Sequence, residues 1–259
     1  LLPLRGHSNV QGIGTIGVKP VLAQDVIAQI EAKLGLTLPE SEGLDTLATM
    51  ESAASGDIDA AVIMGGNLFA ATPDSRAARK AMRNIGFKVF LTTTLNKGHL
   101  AGADSGETLI LPVTARDEEW QSTTQESMFN YVRLSDGGIR RHDNVRPEVA
   151  ILSELGNRLL PDSPLDFSAF GRHSKIREAI AEIIPGMEDL KSIDIAKQEF
   201  TVRNRIMHQP VFHTPTGKAR FVVRPMAANA SRTAELPFTL ATIRSEGQFN
   251  SIIYEEKDS

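Results

Sequence analysis

The sequence contains no cysteine, and among its 259 residues it has only one tryptophan and two tyrosines. Without cysteine, this chain alone cannot form disulfides, a thiolate nucleophile, or a zinc or iron-sulfur site with cysteine ligands. Its six histidines are scattered, without an HExxH motif or a similar spacing. The sequence therefore predicts no metal ligands of its own.

Long apolar runs and an excess of positive charge are also missing. No run approaches the roughly 20 residues that span a bilayer, and the first residues lack the basic stretch and apolar core of a secretory signal. Lysine and arginine number 28 against 32 acidic residues, a net charge of -4, which does not favour electrostatic capture of nucleic acid. We expect a cytoplasmic protein with no nucleic-acid partner and no membrane insertion.

What the sequence does contain is enough apolar residues, 41%, to bury a substantial core. The chain starts at Leu1 rather than at a methionine, and it ends soon after a strand-like run. We interpret it as a piece of a longer protein.

Helices and short apolar strands alternate through the first half of the chain. The predicted helices cover residues 21–34, 44–55 and 77–85, and the predicted strands cover residues 58–64, 87–91 and 108–112. Alternation of this kind is typical of strands buried between helices. It predicts an α/β fold, a Rossmann-like parallel sheet with flanking helices.

The pattern changes after residue 112 into an α+β segment. A hairpin is predicted between residues 128–134 and 139–141, around Asp136, Gly137 and Gly138. Further predicted elements are helices over residues 147–159 and 174–184, a hairpin between residues 211–213 and 219–223, and a last strand over residues 237–243.

Glycines after the first strand suggest a ligand site. Gly65, Gly66 and Asn67 follow the strand directly, and in open α/β sheets ligands bind at the carboxyl ends of the strands. Two glycines allow close approach of a ligand to the backbone, and Asn67 offers an amide donor and acceptor. The group suits a nucleotide, and the alternative is an ordinary glycine-rich turn. Residues 12–17 match GxGxxG, but no strand precedes them, so we do not interpret them as a dinucleotide fingerprint.

Five stretches carry a resemblance to a known family. They are residues 5–12 (RGHSNVQG), 60–74, 108–112, 213–221 (HTPTGKARF) and 240–250 (LATIRSEGQFN). In content and order they resemble segments of the molybdopterin oxidoreductases, specifically formate dehydrogenase alpha subunits and their relatives.

The resemblance implies a division of the chain into four parts. Residues 1–20 would be a Gly-rich loop at the active site and cofactor. Residues 21–112 would be a Rossmann-like molybdopterin-dinucleotide-binding segment, part of a discontinuous domain. Residues 113–235 would connect it to residues 236–259, the start of a C-terminal β-barrel domain.

The resemblance also implies an oxidoreductase in which molybdenum or tungsten lies between two molybdopterin guanine dinucleotides. A 4Fe-4S cluster would belong to the full-length parent and not to this piece, which we expect to be inactive alone. The partners implied are a small anionic substrate such as formate, the remaining domains of the parent chain, and an electron-transfer subunit. The metal and its dithiolenes would carry the chemistry, and the protein would supply position and electrostatics.

Site residues follow from the same match. Arg5 stands where formate dehydrogenases hold the substrate beside the metal, and the alternative is a structural loop arginine. His7 and Asn67 stand where members of the family carry Gln and Asp. The residues matched to cofactor contacts are His7, Asn9, Gln11, Gly12, Gly65, Gly66, Asn67, Thr92, Thr93, Arg244, Ser245, Gln248 and Asn250.

Two other functions stay open at this point. One is a noncatalytic relative that keeps the scaffold for subunit assembly and binds no metal. The other is a stand-alone nucleotide-binding domain, which would bind a guanine nucleotide without any further chain. An upstream cysteine cluster and a metal-binding residue would be needed only by the enzyme.

Overall fold

A computed structural model describes residues 7–203, 205, 210–223 and 238, together with the backbone of residues 248–249 and 252–253. The chain divides into two compact units, Leu1–Asn204 and Arg205–Ser259. A parallel sheet and a smaller antiparallel sheet both lie in the first unit.

The parallel sheet has three strands, β1 (Ala60–Met64), β2 (Phe87–Thr92) and β3 (Glu107–Pro112), in the order β1-β2-β3. Val89 of β2 pairs with Val62 on one side and with Leu109 on the other. The strands are short and largely apolar; a helical crossover joins β1 to β2, and a connector with one 3-10 turn joins β2 to β3. The α/β prediction is confirmed.

Helices α3 (Thr46–Ser55), α4 (Leu68–Ala71) and α5 (Ser75–Asn84) accompany this sheet. Asp45 and Asp74 cap the first turns of α3 and α5 by accepting hydrogen bonds from backbone N–H groups. The 3-10 turn Lys97–Leu100 follows β2. The core under the sheet consists mainly of alanine and methionine side chains: Met50, Ala53, Ala78, Ala81, Met82, Ile85, Phe90 and Ala101.

Part of the predicted N-terminal loop is helical, which corrects the interpretation of residues 1–20. Helix α1 spans Val10–Thr15 and begins after Asn9, whose φ of 63° is in the left-handed region. The Asn9 side chain accepts a hydrogen bond of 3.0 Å from the backbone N–H of Glu126. This anchor fixes the start of α1 and so offsets the low helix propensity of its glycines. Helix α2 (Gln24–Leu34) follows and ends at Gly35.

The antiparallel sheet consists of β4 (Thr123–Glu126), β5 (Tyr131–Ser135) and β6 (Phe200–Thr201), in that order. The predicted hairpin between residues 128–134 and 139–141 is therefore wrong. β5 pairs with β4, and the turn between them has Asn130 at a φ of 60°. Gly138 and Ile139 instead donate backbone hydrogen bonds to the carbonyls of Glu119 and Asp117. Their N–H groups are occupied, so they add no strand.

The remaining helices of the first unit are α6 (Glu148–Leu159), α7 (Phe167–Phe170), α8 (His173–Ile183) and α9 (Ile193–Ala196). Helices α6 and α8 confirm the predicted helices over residues 147–159 and 174–184. The 3-10 turns Arg116–Glu118 and Glu188–Lys191 complete this part. A second core, mainly of branched side chains, lies between the sheet and these helices: Val132, Ile183, Ile184, Met187, Leu190, Ile193 and Val202.

In the second unit, the structure describes a tight turn and two short strands. Gly217 donates a hydrogen bond of 2.9 Å to the carbonyl of Thr214, which confirms the turn. The hairpin predicted around it is not formed, because residues 211–213 and 219–223 are assigned to no strand and Phe221 is 83% exposed. β7 (Gln248–Phe249) pairs with β8 (Ile252–Ile253). Within the described ranges no sheet closes into a barrel, and all of the predicted strand over residues 237–243 except Phe238 lies outside them.

Candidate functional site

Two loops meet at the carboxyl ends of the parallel strands, and we call them the crest loops: residues 65–67 after β1 and residues 92–99 at the end of β2. Gly65 and Gly66 have φ values of 66° and 70°, which side chains rarely adopt. Gly65 donates a hydrogen bond of 2.8 Å to the carbonyl of Leu91, so the two loops are joined at their bases. A Cβ at either glycine would meet no atom within 4 Å, which leaves this backbone open to a ligand.

Asn96 holds the crest loops together. Its amide nitrogen donates to the carbonyl of Gly66 at 3.2 Å, and its amide oxygen accepts from the backbone N–H of Gly98 at 2.8 Å. A Cβ at Gly98 would lie 2.2 Å from the side-chain oxygen of Asn67, so only glycine permits this approach. The second loop is therefore positioned by the first.

The buried side chain of His99 also stabilises the crest loops. Its side chain is buried, its ring packs edge-on against Phe90 at 4.9 Å, and its Nδ1 accepts a hydrogen bond from the backbone N–H of Asn96. Burial lowers the pKa of His99, which favours the neutral ring that this acceptor role requires. Sequence reasoning missed Asn96 and His99. The N-cap residue Asn96 three positions before His99 is the signal that could have found them.

The side-chain oxygen of Asn67 is already hydrogen-bonded within the protein. Its side-chain oxygen caps α4 by accepting a hydrogen bond of 3.1 Å from the backbone N–H of Ala70. The amide nitrogen, a donor, is the group left for a ligand. A base recognised here would therefore present an acceptor.

Beside the crest loops is a cavity of about 370 Å³, the edge cavity. Its wall combines the loops after β2 and β3 with β4, the first residues of α6 and α8, and the segment before α1. Most of the side chains are polar and neutral. The lining residues are Ser8, Asn9, Thr93, Thr114, Ala115, Arg116, Glu119, Thr123, Thr124, Gln125, Glu148, Val149 and His173.

The ionisable groups of the edge cavity differ in their surroundings. Burial raises the pKa of Glu148, which has no hydrogen bond or ion pair among the described residues. The Glu119 side chain is 7% exposed, and its Oε2 lies 3.7 Å from Nε2 of His173. Arg116 donates to the Gln125 side chain at 2.6 Å. The cavity thus places two carboxylates and one imidazole in a partly desolvated space.

The predicted cofactor residues fall into three groups. Asn9 and Thr93 line the edge cavity, while Gly65, Gly66, Asn67 and Thr92 belong to the crest loops. The Thr92 hydroxyl donates to the carbonyl of Thr94 at 2.8 Å, so it stabilises the loop.

Outside this region, His7 is exposed, Gln11 is half-buried on α1, and Gly12 is buried. Arg5, Arg244, Ser245 and Asn250 lie outside the described residues, and only the backbone of Gln248 is described. The structure thus brings six predicted residues to one sheet edge, and the role of each stays a prediction.

Sequence reasoning missed the acidic wall of the cavity. The pair Glu118 and Glu119 is typical of solvated charge, but Glu119 is buried beside His173. The local signals are weak: Glu148 follows a proline that starts a helix, and His173 starts another.

The described part of the chain contains neither a candidate metal-binding cluster nor a candidate membrane-spanning helix. No group of three or more His, Asp or Glu side chains is arranged there to bind a metal ion. None of its helices combines the length and the apolar character needed to cross a bilayer.

Comparison with known proteins relates the chain to oxidoreductases. A protein named "Uncharacterized oxidoreductase Rv2900c" from Mycobacterium tuberculosis is 33% identical over 261 residues, which are 97% of this chain and 33% of that protein. "Uncharacterized oxidoreductase Mb2924c" from Mycobacterium bovis gives the same values. "Protein YdeP" from Escherichia coli K12 is 28% identical over 278 residues, covering 100% of this chain and 35% of YdeP. No family model matches.

These relatives correct the assignment made from the five sequence stretches. Neither the mycobacterial proteins nor YdeP is named as a formate dehydrogenase alpha subunit, so the assignment to that molybdopterin family is wrong. The chain spans about a third of the length of the curated relatives it matches. The comparison therefore shows that the chain is similar to proteins named oxidoreductases.

Proposed function

We propose that this chain is the cofactor-binding part of an oxidoreductase and that its crest loops hold one end of a dinucleotide cofactor. One observation carries the proposal: Gly65, Thr93 and Asn9, which are distant in sequence, lie at the carboxyl edge of one parallel sheet. That edge is the usual ligand position in open α/β sheets. The oxidoreductase names of the mycobacterial relatives support the same class of reaction.

The cofactor we propose is molybdopterin guanine dinucleotide. Its heterocycles fit the chemistry of the crest loops, which offer open glycine backbone, the amide nitrogen of Asn67 and the hydroxyl of Thr93. These are neutral partners suited to a hydrogen-bonding ring. The predicted partner of the diphosphate, Arg244, lies outside the described residues.

Each part of the chain has a defined task in this proposal. When bound, the molybdenum or tungsten of the cofactor would supply the electron transfer. The crest loops orient the heterocycle, Asn96 keeps the two loops in register, and the edge cavity admits a small molecule beside them.

The decisive measurement is the molybdenum, tungsten and pterin content of the intact protein purified from its native host, together with dye-linked oxidoreductase activity. We expect one metal per chain and pterin that is released on denaturation. A protein with activity but a flavin or nicotinamide instead would overturn the cofactor. A protein with no cofactor and no activity would overturn the function and favour a scaffold.

A pair of glycine variants locates the cofactor. Gly66 in the crest and Gly56 at the end of α3 both have positive φ, 70° and 88°, and a Cβ at either would meet nothing within 4 Å. Gly66→Ala and Gly56→Ala should therefore each cost about 1 kcal/mol of stability. Only Gly66→Ala places a methyl against the cofactor, and we expect it to lower cofactor affinity about tenfold. Equal cofactor content in the two variants would remove the crest loops from the binding site.

A further inference from the structure

The wall of the edge cavity contains more carboxylates than permanently charged cations. Glu119 and Glu148 contribute two carboxylates, and Arg116 is the one guanidinium or ammonium group among its described lining residues. A cavity that binds an anion normally directs a guanidinium or several N–H groups into the space. The carboxylates of this wall favour a cation instead.

Arg116 is already engaged with neutral partners. Its guanidinium donates to the side-chain oxygen of Gln125 at 2.6 Å and to the hydroxyl of Ser135 at 3.3 Å. Within the described part of the chain, no ion pair joins Arg116 to either cavity carboxylate. The hydrogen bonds of Arg116 are therefore directed to neutral partners and not to a cavity carboxylate.

Glu148 is the carboxylate that lacks a partner. It lies in the first turn of α6, and the part of the chain that the structure describes gives it neither a hydrogen bond nor an ion pair. Glu154, on the same helix, shows the contrast, because it pairs with both Arg146 and Arg158. A half-buried carboxylate without a partner pays a desolvation cost that a bound cation would offset.

The second carboxylate, Glu119, is fixed by the backbone and lies beside His173. Oε1 of Glu119 accepts from the backbone N–H of Gln121 at 2.9 Å, and Oε2 lies 3.7 Å from Nε2 of His173. Nδ1 of His173 lies 3.2 Å from the carbonyl of Ser122 and, because a carbonyl only accepts, donates to it. Glu119 therefore has a backbone partner and a neighbouring imidazole, which leaves Glu148 as the cavity carboxylate available to a ligand.

We propose that the edge cavity binds a small organic cation, such as an amine, an amidine or a protonated nitrogen heterocycle, whose charge pairs with Glu148. At about 370 Å³ the cavity is at the small end of ligand pockets, which suits a molecule of one ring. The hydroxyls of Thr93, Thr123 and Thr124 line the same space and would orient the ring substituents. As a substrate class this inference rests on the proposed function, whereas cation binding itself does not.

The test compares two probes of the same shape and opposite charge, benzamidine and benzoate, on the intact protein. Binding is followed by titration in methyl-detected NMR, with the methyl groups of Val149, Thr93 and Thr123 as local reporters. We expect benzamidine to shift these methyl signals and benzoate not to shift them. The readout requires neither activity nor cofactor, so its failure is distinct from failure of the proposed function.

Two variants on α6 complete the test. Glu148→Gln removes the unpaired charge and should weaken benzamidine binding at least tenfold. Glu154→Gln removes an exposed carboxylate outside the cavity and should leave binding unchanged. The inference is overturned if benzamidine does not bind, if benzoate binds equally well, or if Glu148→Gln binds like the wild type. If Glu148→Gln does not fold, the wild-type titration by itself tests the inference. Benzamidine must then shift the methyl signals of the edge cavity, and shifts confined to methyl groups elsewhere would overturn the inference.

Discussion

The two sheets of the first unit are packed by different side chains and contribute different groups to the edge cavity. The parallel sheet rests on small residues such as Ala53, Ala78 and Ala81, and the loops after its strands deliver Thr93 and Thr114 to the cavity. The antiparallel sheet packs against branched residues such as Ile183 and Val202, and the helices beside it deliver Glu148 and His173. The strand-end loops thus contribute hydroxyl groups, and the helices contribute ionisable side chains.

The two sheets also differ in their buried polar groups. The charged or amide side chains buried on the antiparallel side include Glu126 and Asn130, which hydrogen-bond to each other at 2.9 Å, and Arg177. Asn130 donates to Glu126, and Arg177 donates to the carbonyl of Ser122. The parallel sheet buries Lys88, whose amine donates to the carbonyls of Ile85 and Ser105 and whose pKa is lowered by burial. That lysine points into the core rather than toward the cavity loops.

The largest expected effect comes from breaking the ion pair that stabilises the antiparallel side. Arg177 donates to Asp194 and, at 2.8 Å, to the carbonyl of Ser122, and its side chain is 5% exposed. Arg177→Met removes both contacts and leaves Asp194 without its partner. We expect the free energy of unfolding to fall by about 3 kcal/mol in urea titrations at pH 7.

The matched variant on the parallel side is Arg83→Met. Arg83 pairs with Asp104, but the two side chains are 50% and 61% exposed. Solvent already screens this pair, so the loss should be no more than about 0.5 kcal/mol. Equal losses in the two variants would show that the antiparallel side does not depend on its buried charge.

The parallel sheet could be predicted from the sequence because its signals are local. The predicted strand over residues 87–91 differs from β2 by one residue, and the strand over residues 108–112 differs from β3 by one. Period and flanking glycines determine such elements within a short window. The carboxyl-edge position of Gly65 and Thr93 then follows from the topology alone.

The antiparallel side could not be predicted in the same way. Gly137 and Gly138 resemble turn residues, but they are glycines because a Cβ would lie 2.0 Å from the carbonyl oxygen of Trp120 and 1.6 Å from that of Asp117. Such close approaches are tertiary contacts, and they produce no periodic pattern in the sequence. Glu119, Glu148 and His173 were missed for the same reason, since three separate segments carry them to one cavity.

An intermediate effect is expected where the N-terminal helix is attached to the antiparallel sheet. Asn9→Gly removes the side chain that accepts from the backbone N–H of Glu126 but tolerates the positive φ, and it should cost about 1 kcal/mol. Gly12→Ala places a Cβ 2.1 Å from the Asn9 side-chain oxygen, which must swing away and lose the same bond. We therefore expect a similar loss from Gly12→Ala alone.

The double variant tests the coupling between these two residues. In the Asn9→Gly background the new Cβ meets no asparagine side chain, and alanine stabilises a helix by about 0.5 to 1 kcal/mol relative to glycine. In this background Gly12→Ala should raise the free energy of unfolding instead of lowering it, as measured by urea unfolding of all four proteins of the double-mutant cycle. Additive losses would mean that Asn9 does not connect α1 to β4.

The smallest expected effect is the pH dependence of stability that two carboxylates of α6, Glu148 and Glu154, contribute. Burial raises the pKa of Glu148, so the folded state holds its proton more tightly than the unfolded chain, whose value is about 4.3. Stability from this group is present below that value and is lost as the pH rises through the folded pKa. Glu148→Gln cannot titrate, so its stability relative to the wild type should rise as the pH increases from about 4 to 7.

Glu154 should behave in the opposite sense. Hydrogen bonds from Arg146 and Arg158 lower the pKa of Glu154, so its stabilisation is present at neutral pH and is lost as the pH falls through the folded value. Glu154→Gln should therefore be less stable than the wild type at pH 7 and approach it in acid. Urea titrations of both variants at pH 4, 5.5 and 7 measure the two slopes. If Glu148→Gln lost stability with rising pH as Glu154→Gln does, Glu148 would have a cationic partner in the protein, and its charge would not be available to a ligand.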